Sequence, residues 1–297
     1  MVHSMQVIGF PESRRQSEAL AQALRCPCHV LDIHHFPDGE SRVTLPSSLA
    51  EHLVICRSLD HPNDKLVELL LCCKAARQNG VRRITLVAPY LCYLRQDACF
   101  HPGEVVSNRI IGEFLAALVD EVITVDAHLH RIQRLEQAIP ARQAISLSAG
   151  ALLGDFIAQR IKQPLVLGPD SESRQWVQAI AQGHHLEYGV ADKQRLGDRQ
   201  VEIRLPDLDY AGRHVVLVDD VVSTGQTLLQ AVRPLQAAGA ASISCLVSHA
   251  LFVEDSYRRL KETGVAALWS TDSISHETNA IPLAGLLAGA VLALEGS

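Results

Sequence analysis

The sequence lacks any apolar run that could cross a bilayer, since runs such as Leu69–Cys73 fall far short of the roughly 20 residues a membrane helix needs. It also lacks an excess of positive charge: the formal net charge is −6, which gives no indication of a nucleic-acid-binding surface. Residues 1–10 show no charged start followed by a long apolar core, as a secretory signal would. We therefore expect a cytoplasmic protein with neither a membrane nor nucleic acid among its partners.

Two glycine-rich nucleotide-binding patterns are also missing, because the sequence contains neither a Walker A signature nor the Rossmann fingerprint. A nucleotide bound by this protein must therefore be held in another way. Cysteine occurs at eight positions, mostly in the apolar contexts that are typical of reduced cysteines in a cytosolic protein. Zinc at Cys26–His29 is the alternative, although that run lacks the usual two-residue gap and no second pair accompanies it.

Short apolar segments alternate with amphipathic segments along almost the whole chain, which predicts an α/β fold with mainly parallel sheets flanked by helices. With 297 residues, of which 47% are hydrophobic and 20% charged, the chain is long enough for two globular domains. A candidate connection begins near Ile139–Ala141. We expect domains at 1–142 and 143–297.

The same periodicity predicts individual elements. Four of these matter below: a strand at His29–Ile33, a helix at Asn63–Gln78 with Asn63 as its cap, a helix at Arg131–Gln137, and a helix at Thr227–Ala238.

The segment Val215–Leu228 carries the clearest chemistry. Its first four residues form an unbroken apolar run, as in a strand buried on both faces, and two acids, Asp219 and Asp220, follow directly. A loop and helix N-terminus come next, where backbone N–H groups and the helix dipole favour phosphate, and the acids suit sugar hydroxyls or magnesium. The loop residues are Ser223, Thr224, Gly225, Gln226 and Thr227. This pattern predicts a site for a phosphorylated sugar, and the alternative is an ordinary capped strand–turn–helix.

Acids end three predicted buried strands: Asp126, Asp170 and the pair at 219–220. Ligands of open α/β sheets bind beyond the carboxyl ends of the strands. Together with His128, which lies two residues after Asp126, these acids suggest a site for a divalent metal that bridges phosphates. For Asp126 and His128 the alternative is a capping Asp followed by an exposed His.

Three further segments are candidates for ligand contact. Pro-Asp-Gly at 37–39 predicts a hairpin tip that carries Phe36, Asp38 and Glu40, although any surface hairpin can carry this turn. A loop at 89–97 mixes tyrosines with Arg95, Gln96 and Asp97, side chains that can stack on a base and bind phosphates. The charged stretch Lys193–Val201 reads as a mobile flap or as a solvated charge run.

Taken together, five segments resemble the ribose-phosphate pyrophosphokinase (PRPP synthetase) family. They are FPDGE at 36–40, PYLCYLRQD at 89–97, DAH at 126–128, PD at 169–170 and VLVDDVVSTGQT at 216–227. Asp192–Arg195 is similar to the catalytic flexible loop of that family. A type I phosphoribosyltransferase would share only the last of the five segments and would be shorter.

The resemblance implies two tandem phosphoribosyltransferase-like domains with the active site between them, in a homo-oligomer built from dimers. It implies that the hairpin with Phe36, Asp38 and Glu40 reaches into the ATP site of a neighbouring subunit. Arg95, Gln96 and Asp97 match the ATP-binding segment of the family. It also implies the remaining roles: Mg²⁺ at His128 and Asp170, catalysis by Lys193 and Arg195, and ribose 5-phosphate at Asp219, Asp220, Ser223, Thr224, Gly225, Gln226 and Thr227.

The implied reaction transfers the β,γ-diphosphate of Mg-ATP to the 1-hydroxyl of ribose 5-phosphate, giving PRPP and AMP. The sequence departs from the family pattern at Ala98, Glu172, Gln194, Ser223 and Gln226. It also lacks the turn after Leu45 that marks the ADP-regulated class, so regulation by ADP and phosphate is not expected from the resemblance. The alternatives are a catalytically silent regulatory subunit, a synthetase for another phosphorylated pentose, or a phosphoribosyltransferase.

Overall fold

The computed structural model describes residues 5–129, 131–195 and 201–296, with side chains not described at 194, 195, 201 and 202. The chain forms two compact units. The first comprises residues 5–147, 273–275 and 283–296, and the second comprises residues 148–272 and 276–282. No helix within the described ranges is both long and apolar enough to pass through a membrane.

Residues 5–147 contain eight strands and three helices. The strands are β1 (Met5–Gly9), β2 (Cys28–Val30), β3 (Asp32–His35), β4 (Ser41–Thr44), β5 (His52–Cys56), β6 (Arg83–Val87), β7 (Glu121–Val125) and β8 (Gln143–Leu147). The helices are α1 (Arg14–Leu24), α2 (Pro62–Gln78) and α3 (Ser107–Ala116). Six strands form one parallel sheet in the order β2-β1-β5-β6-β7-β8, while β3 and β4 pair as a separate antiparallel hairpin.

The rest of the chain repeats this plan. The strands are β9 (Leu165–Gly168), β10 (Glu187–Val190), β11 (Asp192–Arg195), β12 (Val201–Arg204), β13 (His214–Val222), β14 (Ser242–Ala250), β15 (Ala267–Thr271) and β16 (Asn279–Ile281). The helices are α4 (Gly150–Arg160), α5 (Arg174–Gln182), α6 (Gln226–Ala237), α7 (Ser256–Glu262) and α8 (Ala284–Glu295). The second parallel sheet has the order β10-β9-β13-β14-β15-β16, and β11 and β12 form the antiparallel hairpin.

The central strands of both parallel sheets are apolar on both faces, as the sequence predicted. All five residues of β5 are buried, and so are Val215–Val218 in β13. Such strands must be covered by helices on both sides, which the alternating order of strands and helices provides. The α/β prediction is therefore confirmed.

Three local predictions were wrong. The expected strand His29–Ile33 is two strands, because the chain leaves the first sheet after Val30 and Asp32 already pairs with β4. Helix α2 begins at Pro62 after His61 in the left-handed region, with no side-chain cap, so Asn63 is not its cap. The expected helix Arg131–Gln137 is reduced to a 3₁₀ turn at Leu135–Gln137.

The two units differ from the expected division at 142/143 in two places. Strand β8 belongs to the first sheet, because Gln143–Leu147 pairs in register with β7. Helix α8 also belongs to the first unit, where the carbonyl oxygen of Leu294 accepts a hydrogen bond from Arg83 Nη2 at 3.0 Å. Sequence periodicity describes each element but not its packing partner, so it gave no signal for the return of α8.

A buried acid, Glu121, organises the edge of the first unit where α8 is attached. Glu121 is fully buried and accepts hydrogen bonds from Thr85 Oγ1 at 2.6 Å and from Arg83 Nε at 3.1 Å. Arg142 also forms an ion pair with it, and Arg83 reaches Glu295 of α8 at 2.7 Å. One carboxylate thus connects β6, β7, the start of β8 and the C-terminal helix.

We expect Glu121→Gln to lower the free energy of unfolding by about 2 kcal/mol, because the buried carboxylate loses its charge-assisted hydrogen bonds from Thr85 and from the half-buried Arg83. The matched control is Glu113→Gln, which removes an exposed helical pair with Arg109 and should cost no more than about 0.5 kcal/mol. Urea unfolding monitored by circular dichroism measures both. Equal effects of the two substitutions would contradict the assigned role of Glu121.

Candidate functional site

The acid pair of the second unit lies inside strand β13, not after it as the sequence suggested. Strand β13 continues to Val222 because β14 pairs with it as far as Val222↔Ala250. On its other side, the pairing with β9 ends at Leu167↔Leu217. Asp219 and Asp220 therefore extend beyond the end of β9, into the crevice at the carboxyl ends of the parallel strands.

The carboxylates of Asp170, Asp219 and Asp220 interact with one another through their charges. Burial raises the pKa of Asp219 well above its usual value, and the negative charges of Asp220 and Asp170 raise it further. Asp220 itself is buried, while its backbone N–H donates to Asp219 Oδ1 at 3.1 Å. Asp170 Oδ1 accepts from the Glu172 N–H at 3.1 Å, which fixes the turn before α5. The structure thus brings together three of the predicted site residues within one unit.

The loop after β13 has the geometry expected of an anion site. Gly225 has a φ of +69° at the start of α6, a conformation in which L side chains are strained. A Cβ added there would also lie 3.2 Å from Leu260 Cδ1. The first N–H groups of α6 have no partner within the helix, so they are available to oxygen atoms of a ligand. The helix begins at Gln226, one residue before the predicted start.

The chain that follows β14 supports this loop from behind. The Phe252 N–H donates to the Val222 carbonyl at 2.9 Å, and the Val253 N–H donates to the Ser223 carbonyl at 3.1 Å. The Phe252 ring packs against the rings of Tyr257 and His276, with centroid distances of 5.4 and 4.8 Å. The loop backbone is therefore held in place from the side opposite to its N–H groups.

In the first unit, the predicted hairpin tip at Phe36–Glu40 is present between β3 and β4. The Phe36 N–H donates to the Glu40 carbonyl at 2.8 Å, and Gly39, with φ of +94°, completes the turn. Asp38 Oδ1 accepts from the Glu40 N–H at 3.2 Å. The Phe36 side chain is exposed, and its ring lies nearly perpendicular to the His34 ring, with the two centroids 4.7 Å apart.

The loop with Arg95, Gln96 and Asp97 is tied to the chain that follows β7. Asp97 Oδ1 accepts from Arg131 Nη1 at 2.7 Å, and Oδ2 accepts from the Arg131 N–H at 3.1 Å. Burial opposes ionisation of Asp97, but these hydrogen bonds and the Arg131 charge outweigh it and hold its pKa below the usual value. Gln96 Nε2 donates to the Ala98 carbonyl at 3.0 Å, and Arg95 is exposed.

Sequence reasoning missed Arg131, because the apolar spacing of residues 131–137 had indicated a helix. In the structure its guanidinium group also lies 4.9 Å from the centroid of the Phe100 ring. The signal that could have found it is its position three residues after His128, within a strand-end segment that already carried two candidate residues.

The segment Asp126–His128 is strained. Asp126 is buried and has a φ of +42°, which is uncommon for a residue other than glycine. Its N–H donates to the Leu147 carbonyl at 2.7 Å, and the Ala127 N–H donates to Ser146 Oγ at 3.1 Å. Strain of this kind often accompanies a functional site, and here β8 supplies the contacts that maintain it.

The predicted flap begins as a defined hairpin. Strands β11 and β12 pair antiparallel, with Lys193 opposite Ile203, and the Lys193 side chain is exposed. The Arg195 side chain and residues 196–200 lie outside the described residues, so the rest of this prediction is untested.

The two predicted metal ligands belong to different units, His128 to the first and Asp170 to the second. The described part of the chain contains no group of three or more His, Cys, Asp or Glu side chains that could hold a metal ion. A divalent cation bound near Asp170, Asp219 and Asp220 would nevertheless reduce the repulsion among their negative charges. Magnesium commonly takes one or two carboxylates and completes its coordination with water and substrate phosphates, so the donor set is compatible with it.

Comparison with known proteins identifies a phosphoribosyltransferase-type domain: residues 137–278 match the family described as the phosphoribosyl transferase domain. Residues 5–118 match the N-terminal domain of ribose phosphate pyrophosphokinase. A ribose-phosphate pyrophosphokinase of Methanopyrus kandleri is 34% identical over 295 residues, which are 98% of this chain and 100% of the relative. The one of Methanosarcina acetivorans is 31% identical, with 97% of this chain and 99% of the relative covered.

The crystal structure of phosphoribosylpyrophosphate synthetase from Mycobacterium smegmatis has the same fold. It superposes with a TM-score of 0.83 at 20% identity, covering 98% of this chain and 99% of that chain. The relatives match from end to end, so the chain belongs to the ribose-phosphate pyrophosphokinase family.

The raised pKa of Asp219 predicts a pH-dependent stability. A carboxyl group whose folded pKa exceeds its unfolded value of 3.8 binds its proton more tightly in the folded state. Its ionisation therefore costs stability as the pH rises above that value. We expect Asp219→Asn to raise the melting temperature at pH 8 by at least about 2 °C, with the difference vanishing near pH 4.

Thermal melts between pH 4 and pH 8 test this expectation. The control is Asp207→Asn, which changes an exposed acid of the same unit. A gain for Asp219→Asn that is the same at every pH, or no gain at pH 8, would contradict it.

Proposed function

We propose that the protein catalyses transfer of the β,γ-diphosphate of Mg-ATP to the 1-hydroxyl of ribose 5-phosphate, forming PRPP and AMP. The observation that carries this proposal is the second unit's crevice, which combines three acids with a phosphate-type loop and lies in a chain that matches ribose-phosphate pyrophosphokinases end to end. We further propose that the enzyme works in the cytoplasm as a homo-oligomer, a dimer or a multiple of dimers.

The sugar phosphate fits the polarity of this crevice. Residues 223–227 offer hydroxyl, amide and backbone N–H donors to the 5-phosphate, and Gly225 keeps the loop in the shape that exposes them. Asp219 and Asp220 offer acceptors to the ribose hydroxyls. The hydroxyl groups of the sugar are donors, and hydrogen bonds from them would favour the ionised form of Asp219, which burial and the neighbouring acids disfavour.

The nucleotide is assigned to residues of the first unit. We propose that the exposed Phe36 ring stacks on adenine, that Asp38 and Glu40 contact its edge, and that Arg95 reaches the phosphates. Gln96 and Asp97 hold the Arg95 loop through the contacts described above. His128 and Asp170 would hold the Mg²⁺ that, when bound, neutralises charge on the diphosphate.

Catalysis then consists of positioning and charge stabilisation, as in other phosphoryl-type transfers. The 1-hydroxyl oxygen forms a bond to the β-phosphorus, the bond from that phosphorus to the α,β-bridging oxygen breaks, and AMP leaves with the bridging oxygen. The hydroxyl proton passes to solvent. Lys193 and Arg195 supply positive charge to the β-phosphate and to the departing AMP oxygen.

A regulatory subunit without activity is not favoured, because the chain keeps the candidate residues Lys193, Arg195, His128 and Asp170 and also the acid crevice. Measurement of AMP release from ATP and ribose 5-phosphate in the presence of magnesium tests the proposal. A phosphoribosyltransferase releases no AMP under these conditions, and a silent subunit releases none either. Replacing ribose 5-phosphate by other pentose phosphates tests substrate preference.

We expect Lys193→Ala and Arg195→Ala each to lower kcat by about 100-fold while KM for both substrates changes little, because the lost charge acts mainly on the transition state. Lys162→Ala removes an exposed lysine of the same unit and should leave kcat unchanged. Near-normal kcat in the Lys193 or Arg195 variant would remove that residue from the mechanism.

A further inference from the structure

Glu68 is a buried acid of α2 that no step of the proposed mechanism uses. One of its carboxylate oxygens pairs with Arg57 Nη2, and the other accepts from Ser41 Oγ at 3.0 Å. His35 Nδ1 lies 3.6 Å from that second oxygen and 3.1 Å from Ser41 Oγ. Ser41 and His35 face each other as the last pair of the β3–β4 hairpin before its turn. Glu68 therefore contacts the hairpin directly below Phe36.

Arg57 fixes Glu68 from the other side. Its guanidinium is buried, and Nε donates to Glu12 Oε1 at 2.7 Å while Nη1 donates to the Lys65 carbonyl at 2.9 Å. The same group lies 3.7 Å from the centroid of the Phe10 ring. Nε, Nη1 and Nη2 of Arg57 thus each donate a hydrogen bond, and the Phe10 ring covers the guanidinium group. Because Arg57 is fixed in this way, the Glu68 carboxylate that pairs with it has little freedom to move.

The repeated fold shows how unusual this arrangement is. The carbonyl groups of Gly9 and Gly168 accept from the N–H groups of Leu31 and Ala191, which makes the two glycines equivalent. Counting from them along the paired strands, Arg57 holds the position that Asp219 holds in the second unit. At this strand end the first unit thus has internal ion pairs of Arg57 with Glu12 and Glu68, whereas the second has mutually repelling acids.

The position of the hairpin is fixed differently at its two ends, by polar contacts near the turn and by apolar packing near the sheet. Toward the sheet, Ile33 and Val43 pack against the hydrophobic core. Toward the turn, a cavity of about 440 Å³ opens between the hairpin and the start of α2, lined by His35 on one side and by Arg57 and Glu68 on the other. Ile33 and Pro11 are the apolar members of this lining and its other residues are polar or charged, so polar contacts such as the Ser41–Glu68 hydrogen bond link the turn end of the hairpin to α2.

We propose that Glu68, held by Arg57, is a positioning residue that fixes the Phe36 hairpin through Ser41 and thereby sets the affinity for the adenine of ATP. This inference rests on the proposed function of the hairpin. A buried ion pair gains little stability over apolar residues of similar size, because both charges must be desolvated. The Arg57–Glu68 pair instead contributes orientation, because the second oxygen of the fixed carboxylate accepts a hydrogen bond from the hydroxyl of Ser41 in β4.

Ser41→Ala tests the proposal with little risk to folding, because Ser41 is only half-buried. We expect KM for ATP to rise about tenfold, the lower end of the effect of losing one hydrogen bond to a charged group, while kcat and KM for ribose 5-phosphate stay within about twofold. Ser41→Thr keeps the hydroxyl and should restore KM. Ser48→Ala, at an exposed residue beyond the hairpin, is the matched control and should behave as the unaltered protein.

Hydrogen exchange of residues 32–44 provides a readout that does not depend on activity. We expect faster exchange in Ser41→Ala and in Glu68→Gln than in Ser41→Thr. Unchanged exchange in Ser41→Ala would overturn the proposal, and so would faster exchange with unchanged KM for ATP. If the unaltered protein releases no AMP, the proposed function fails, whereas the exchange data still decide whether Glu68 orders the hairpin.

Discussion

The repulsion among Asp170, Asp219 and Asp220 is the constraint on which the second unit depends. These carboxylates are crowded because parallel strands end at one edge of the sheet, and burial raises the pKa of Asp219 well above its usual value. The helix terminus at Gly225 provides the opposite polarity across the same crevice. The ligand of the proposed function has hydroxyl donors for one side and a phosphate for the other, and a divalent cation would relieve the remaining negative charge. On this proposal, binding would recover the stability cost of the acids.

The two units show how one fold can be used for two purposes. Their sheets have the same strand order, and each has an antiparallel hairpin after its edge strand. At the equivalent strand end, one unit carries Arg57 and the other Asp219. Arg57 pairs with both Glu12 and Glu68, so these two acids have a counter-charge within the protein. In the roles proposed above, the first unit supports its hairpin through this cluster, whereas the second unit holds the sugar phosphate.

Most of the fold could be predicted from the sequence, because buried apolar strands and the Pro-Asp-Gly turn are local signals. The extension of β13 through two acids could not, since it results from pairing with β14. The acids of the second unit could be singled out because they interrupt an unbroken apolar run, which is a local signal, whereas their role as ligands stays a prediction. Arg131 and Glu68 were missed for the opposite reason: in sequence, both look like ordinary residues of an amphipathic helix. Their importance comes from tertiary contacts with Asp97 and Ser41.

The contacts of the Arg-Gln-Asp loop also change the division of roles within it. Both oxygens of Asp97 accept hydrogen bonds from Arg131, and Gln96 donates within the loop and to Glu104. These two side chains therefore stabilise the loop conformation. Arg95 is exposed, so within the triplet it is the residue to which the proposed function assigns the phosphate contact.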